Sequence, residues 1–261
     1  MKALLLSTGK RDLTIDPPLT NAAGSLGYSD ETRRFIDLSP LGAMITNPVS
    51  LRPRVPARGP RWLPFVGGFL LHTGHPNPGL SEVIRRHRKR WAISPYPVIV
   101  HVLTRIPHEA GQMAEQLEEV EGVSGIELNM SEASPLEAEA LVSSTIASHV
   151  PVLAHIQIGA DEQVAMAAIQ AGAVALTLGP PRGTMQDPEG VLVNGRLYGR
   201  SIFPLALQSL THLVDRVDGP ILVGGGIYSR EQVDIMLAAG AAGVQLDAVM
   251  WTEPELVLDA S

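Results

Sequence analysis

The chain has 261 residues, 45 % of them hydrophobic and only 4 % aromatic, so Val, Leu, Ile and Ala must fill a sizeable core. It has no cysteine, which excludes disulfides, thiolate catalysis and cysteine-ligated metals. The net charge is −7, and no apolar run approaches the roughly 18 residues of a membrane helix, so neither nucleic acid nor membrane is an expected partner.

The opening run Met1 to Leu6 is apolar but short, with no small-residue cleavage site after it, so a soluble cytoplasmic protein is the expectation. Short, nearly continuous apolar runs then recur at Leu19–Ala23, Ala43–Thr46, Val98–Val102, Gly125–Asn129, Val152–Ile156, Ala173–Leu178, Ile221–Val223 and Gly243–Leu246. Such runs are what parallel strands buried on both faces require. Amphipathic helical patterns alternate with them at Pro107–Val120, Pro135–Ser148, Ala160–Ala171, Ile202–Val217 and Ser229–Ala239. Glycines 172 and 240 each stand at a helix end just before a strand, where a left-handed cap is needed. Strand–helix alternation repeated eight times closes into a single α/β domain over residues 1–261, a (β/α)8 TIM barrel. The one basic run, Arg85 to Arg90, reads as a solvated helix face, with a patch for an anionic partner as the alternative.

Two stretches break the alternation, at about residues 50–80 and 180–199. Both follow barrel strands, so both lie over the C-terminal mouth, where long loops serve ligands. The glycines Gly224, Gly225 and Gly226 close the seventh strand, and Ser229 with Gln232 has the spacing of a capping box. Free backbone N–H groups at that place attract a phosphate. The eighth strand ends in Gln245, Leu246, Asp247 and Ala248. An ionised Asp247 beside a phosphate costs on the order of 4 kcal/mol at 4 Å and an effective dielectric of 20. Asp247 therefore either turns away, towards Arg200 or Arg230, or degrades the phosphate site.

The residues Ala22 to Tyr28, Arg52 to Arg54, Pro76 to Gly79, Glu127 to Asn129, Asn194-Gly195 and the stretch from Pro220 to Gln245 together resemble the dihydroorotate dehydrogenases. That resemblance implies an FMN-binding TIM barrel of the oxidoreductase class, acting on a CH–CH group of a small-molecule substrate and often a homodimer. It implies a flavin ring along Ala22, Ala23 and Gly24, a ribityl phosphate at Gly199, Gly225 and Gly226, and Asn129 at the flavin–substrate interface. Elsewhere the family's pattern is altered. Asn47 and His155 stand where the family has lysines, and His101 where it has an asparagine. Glu132 aligns with the catalytic base. Leu71, Ser134 and Pro180 align with substrate-gripping asparagines, and Asp247-Ala248 with a Gly-Thr pair. Each lost amide leaves a polar group of dihydroorotate unpaired at roughly 1–3 kcal/mol, so oxidation of that substrate is not expected.

The candidate catalytic residues are therefore Glu132, Asn129 and His155. The candidate cofactor residues are Ala22, Ala23, Gly24, Asn47, His101, Asn129, His155, Gly199, Gly225, Gly226, Asp247 and Ala248. FMN is the expected cofactor on the condition that Asp247 does not block its phosphate. Glu132 reads either as a general base or as an exposed loop residue. His101 and His155 read either as flavin-facing or as hydrogen-bonded core histidines. A nitrogen–oxygen metal site from His101, His155 and Glu132, with His72 or His75, is a minor alternative, since no fixed spacing supports it, and no metal is the expectation. Arg182, Arg52 and Arg54 are candidate anion ligands or surface ion pairs. Three functions stay open: an FMN-dependent oxidoreductase with an altered site, a flavin-free barrel enzyme, and a non-catalytic paralogue.

Overall fold

A computed structural model describes residues 2–29 and 35–258, so the ends of the expected 1–261 span lie outside the described residues. The chain opens with an antiparallel hairpin, β1 (Leu4–Ser7) and β2 (Asp12–Ile15), and continues into β3 (Leu19–Asn21) and β4 (Met44–Ile45). A second hairpin, β5 (Trp62–Phe65) and β6 (Gly68–Leu71), precedes α1 (Leu80–Ala92), β7 (Val98–Val102), α2 (Pro107–Glu118) and β8 (Val123–Asn129). Then come α3 (Pro135–Thr145), β9 (Val152–Gln157), α4 (Glu162–Gln170) and β10 (Ala175–Gly179). A third hairpin, β11 (Arg182–Gln186) and β12 (Leu192–Tyr198), leads to α5 (Phe203–Leu213), β13 (Ile221–Gly224), α6 (Arg230–Ala238), β14 (Gly243–Leu246), α7 (Val249–Thr252) and α8 (Glu255–Leu258).

Eight of these strands form one parallel sheet in the order β3-β14-β13-β10-β9-β8-β7-β4. A parallel bridge between Thr20 and Ala43 joins the two ends, so the sheet closes on itself as a (β/α)8 barrel. The eight apolar runs read from the sequence are these eight strands, with ends shifted by at most two residues. Gly172 (φ 110°) and Gly240 (φ 103°) adopt the left-handed cap that their places demanded.

Two features were not legible beforehand. The first hairpin carries Leu6, Leu13 and Ile15 into the floor of the barrel, where they pack on Ala43, Ile45, Ile99, Leu153, Ala175 and Leu222. The long mouth stretches are not irregular. Each contributes a hairpin, and together they make a four-stranded antiparallel sheet, β11-β12-β6-β5, across the mouth. Backbone pairing of Arg196 with Leu71 and of Tyr198 with Phe69 joins the two halves.

Among the described residues no helix is long and apolar enough to cross a membrane. In the basic run, Arg85 and Arg86 sit exposed on α1 and pair with Glu82, which is the solvated helix face expected.

Leu13 is 1 % exposed and touches the wall at Gly125, where no larger residue would leave it room. Leu13→Ala is expected to lower the free energy of unfolding by about 2–5 kcal/mol in urea denaturation, because the closed floor cannot collapse on the void. A loss below about 1 kcal/mol would show that the hairpin does not plug the barrel.

Candidate active-site mouth

The inward side chains of the barrel form two layers of opposite character. The lower layer is the apolar floor around the hairpin. Above it every inward position used by β7 to β10 and by β14 is polar: His101, Glu127, His155, Thr177 and Gln245, all buried. Glu127 has no exposed surface and sits at the centre. Its Oε2 accepts from His101 Nδ1 at 2.5 Å and its Oε1 from Gln245 Nε2 at 2.8 Å. His155 Nδ1 lies 3.7 Å from Oε1 and 3.0 Å from Thr177 Oγ1. The amide of Asn129 lies 3.2 Å from His101 Nε2, so a neutral His101 with its proton on Nδ1 satisfies both neighbours.

Burial alone would raise the Glu127 carboxyl, but the neighbouring imidazoles of His155 and His101 overcome it and hold the group well below the ordinary range. Burial drives His101 down to about 4, against the pull of Glu127. Glu127 is thus an ionised carboxylate, and burial favours the neutral form of its partner His101. The metal alternative changes accordingly: His101 and His155 converge on Glu127 with ligand atoms within 4.8 Å of one another. Glu132 does not join them. It pairs instead with Arg182 Nε at 3.1 Å, about half exposed.

Over this polar layer lie two adjoining cavities under the mouth sheet. The larger, about 300 Å³, is lined by Asn129, Glu132, Arg182, Arg196 and Tyr198 among others. The smaller, about 210 Å³, is lined by Ala23, Gly24, Asn47, Arg196, Tyr198 and Trp251 among others. A Cβ on Gly24 (φ 93°) would meet only Pro48 at 3.8 Å, so the space above this glycine is open. Asn47 Oδ1 accepts from the N–H of Gly27 and so braces that turn. His155, 5 % exposed, lies beneath the cavities rather than in their walls.

The glycines at the other end are filled by protein. A Cβ on Gly225 would meet Ile158 at 2.8 Å, and one on Gly226 would strike the backbone of Phe203. Gly199 (φ 121°) lies against the backbone of Gly67 and Gly68. Asp247 does not turn to an arginine: Arg200 pairs with Glu253 at 2.8 Å and lies over the Tyr228 ring, and Arg230 donates to the carbonyl of Leu258. The Asp247 side chain, 2 % exposed, instead accepts the backbone N–H of Ala248 at 2.6 Å, and the N–H of Gly226 also bonds to it. Its Oδ2 has no partner. Two backbone donors at the ends of β13 and β14, the N–H groups of Gly226 and Ala248, are thus satisfied by the chain's own carboxylate.

These are the features of an α/β-barrel protein with open cavities over the C-terminal ends of its strands. A family model described as Dihydroorotate dehydrogenase matches residues 5–259. The chain belongs to the dihydroorotate dehydrogenase family. The catalytic subunit of a dihydroorotate dehydrogenase B (NAD(+)) from Geotalea uraniireducens is 29 % identical over 273 residues, covering 94 % of this chain and 90 % of that one. A putative dihydroorotate dehydrogenase A (fumarate) from Aeropyrum pernix is 31 % identical over 268 residues, covering 95 % and 87 %. Among solved structures, inosine 5′-monophosphate dehydrogenase from Legionella pneumophila superposes with a TM-score of 0.56 at 14 % identity over 96 % of this chain, a likeness of fold alone. The chain spans 64 % of the length of that structure.

The residues present do not fit the FMN that the family resemblance implies. A phosphate at the β13–β14 end meets the Asp247 carboxylate on the same donors.

Sequence reasoning missed Glu127, Gln245 and Arg196. A signal existed for the first: Glu127 alternates with Gly125 and Asn129 in an otherwise apolar buried strand, which places it inside the barrel. For Arg196 the signal was the spacing Asn194, Arg196, Tyr198, which puts three cavity-lining residues on one face of a strand.

Burial pushes the Asp247 carboxyl up to about 6 from an ordinary 3.8, opposed by the N–H groups of Ala248 and Gly226. The folded chain thus holds this proton more tightly than the unfolded chain. The stabilising contribution is complete below pH ~4 and is lost as pH rises through about 6, a change of about 3 kcal/mol at 1.36 kcal/mol per unit. Asp247→Asn, which cannot ionise, should therefore gain on the wild type by up to about that amount between roughly pH 4 and pH 7, measured by urea denaturation. A difference that stays flat across the window contradicts the buried, under-paired carboxylate.

Proposed function

We propose that this chain is a dihydroorotate dehydrogenase-like barrel that has kept the family's mouth and lost its reaction. It does not oxidise dihydroorotate, takes up no FMN at neutral pH, and performs acid–base chemistry on a small organic anion. The observation that carries this reading is the Asp247 carboxylate seated on the Gly226 and Ala248 donors. Residues aligned with substrate amides support it. The Ser134 side chain and the N3 residue Glu137 form a capping box at the start of α3, and Leu71 presents an apolar wall to both cavities.

In this reading Glu132 moves the proton, because it is the one carboxylate among the described residues lining the larger cavity. Arg182 fixes its position. Asn129, in the cavity wall, fixes substrate while its own amide is held by His101. His155 acts from below, as a neighbour of Glu127 that keeps the polar layer in place. A cytoplasmic location and a homodimer accompany the reading as family-implied expectations.

The open space over Gly24 favours a second reading, an FMN-dependent oxidoreductase whose CH–CH substrate is not dihydroorotate. The purified protein separates the two. We expect a colourless preparation that shows no bound-flavin absorbance after incubation with FMN, and no turnover of dihydroorotate with an artificial electron acceptor. A yellow protein without that turnover supports the second reading. A yellow protein that oxidises dihydroorotate overturns both.

A further inference from the structure

The larger mouth cavity is built around positive charge that the fold leaves unmatched. Arg54, Arg105, Arg182 and Arg196 all line it, against the single carboxylate of Glu132. Arg182 is matched by Glu132, and Arg105 by Glu137 at 2.9 Å. For Arg54 and Arg196 no carboxylate lies within 4 Å among the described residues. The Arg54 Nε spends one bond on the carbonyl of Gly74, and Arg196 bonds to Tyr198. Arg196 and Arg182 are register partners on β12 and β11, so the mouth sheet itself sets the two guanidiniums side by side.

Two further observations point to a ligand. Among the described residues only three other than glycine have positive φ, and two of them, His75 (52°) and Glu132 (67°), line this cavity. Backbone strain of this kind persists where surrounding structure enforces it and gathers at ligand sites. His75 also reports the local field. Burial first, and then the charges of Arg196, His101, Arg54 and Arg182, hold its imidazole down to about 2, so it stays neutral and adds an uncharged donor or acceptor.

We propose that this cavity binds a compact organic polyanion, with at least two carboxylate or phosphate charges, gripped by Arg196 and Arg54. The guanidinium fork matches a carboxylate or phosphate edge with two parallel bonds. A volume of about 300 Å³ limits the ligand to a small molecule. A polyanion neutralises both unmatched arginines and leaves the Arg182–Glu132 pair in place, with the Glu132 carboxylate beside the bound molecule. The inference names the ligand class for the acid–base reading above and rests on it.

Isothermal titration calorimetry of the full chain with citrate and with glycerol 3-phosphate, and with glycerol as the neutral control, tests it. We expect at least one of the two anions to bind at physiological ionic strength, glycerol not to bind, and affinity to fall with added salt. Arg196→Gln and Arg54→Gln should each weaken binding about tenfold or more, while Arg88→Gln on the exposed face of α1 leaves it unchanged. Arg196→Lys keeps the charge without the fork and should fall between wild type and Arg196→Gln. Thermal melts of each variant establish that it folds. Absence of binding by both anions overturns the proposal, and so does binding that survives both glutamine variants. FMN uptake would overturn the preceding reading and leave these titrations to decide this one separately.

Discussion

A carboxylate with no solvent contact governs the interior of this barrel. Isolated in such a place, Glu127 would cost several kcal/mol, and it survives only because three other strands bring donors to it. His101 comes from β7, His155 from β9 and Gln245 from β14. That convergence needs a closed sheet, since β14 reaches β8 only across the barrel. It also needs a fixed register, because a slip of one residue would turn every donor outward. The apolar floor below and the polar layer above are one consequence of alternation along the strands. The same alternation hands Asn129 to the cavity, held from beneath by His101.

The mouth extends this logic from structure to chemistry. Its two ends have opposite electrostatic histories. At the β13–β14 end the fold supplies backbone donors and then satisfies them with Asp247, leaving one oxygen of that carboxylate without a partner. Under the mouth sheet the fold supplies arginines and leaves two of them unmatched. An anion-seeking cofactor phosphate meets a competing charge at the first place, and an anionic substrate at the second meets two unmatched arginines and a Glu132 carboxylate already paired with Arg182. On the proposed reading, cofactor dependence and substrate choice would thus be set by separate residues on separate loops, Asp247 after β14 and Arg54 and Arg196 under the mouth sheet.

The barrel was largely legible in the sequence, because strands buried on both faces leave continuous apolar runs and their helices leave periodic ones. The mouth sheet was not, because β5, β6, β11 and β12 are short, partly exposed hairpins among prolines and glycines, and such segments read as loops. The glycines at 225 and 226 show why a motif alone is ambiguous. Close approach of a ligand and close approach of the protein's own helix demand the same residue, and here α5 and its preceding turn stand over them. Asp247 was visible as an obstacle, but the arginine expected to meet it, Arg200, pairs instead with Glu253, a contact across 53 positions. Glu132 lies in the wall of the larger cavity. Its partner came from β11 and not from the histidines, which the linear order could not indicate.

The central claim is that Asp247 holds the place a flavin phosphate would take. A fluorescence-quenching titration of FMN into the wild type and into the double variant Asp247→Gly, Ala248→Thr tests it most directly. The account predicts no measurable FMN binding by the wild type at neutral pH and a gain of about tenfold or more in the double variant, with riboflavin, which lacks the phosphate, gaining nothing. Tight FMN binding by the wild type, or an equal gain for riboflavin, would contradict it.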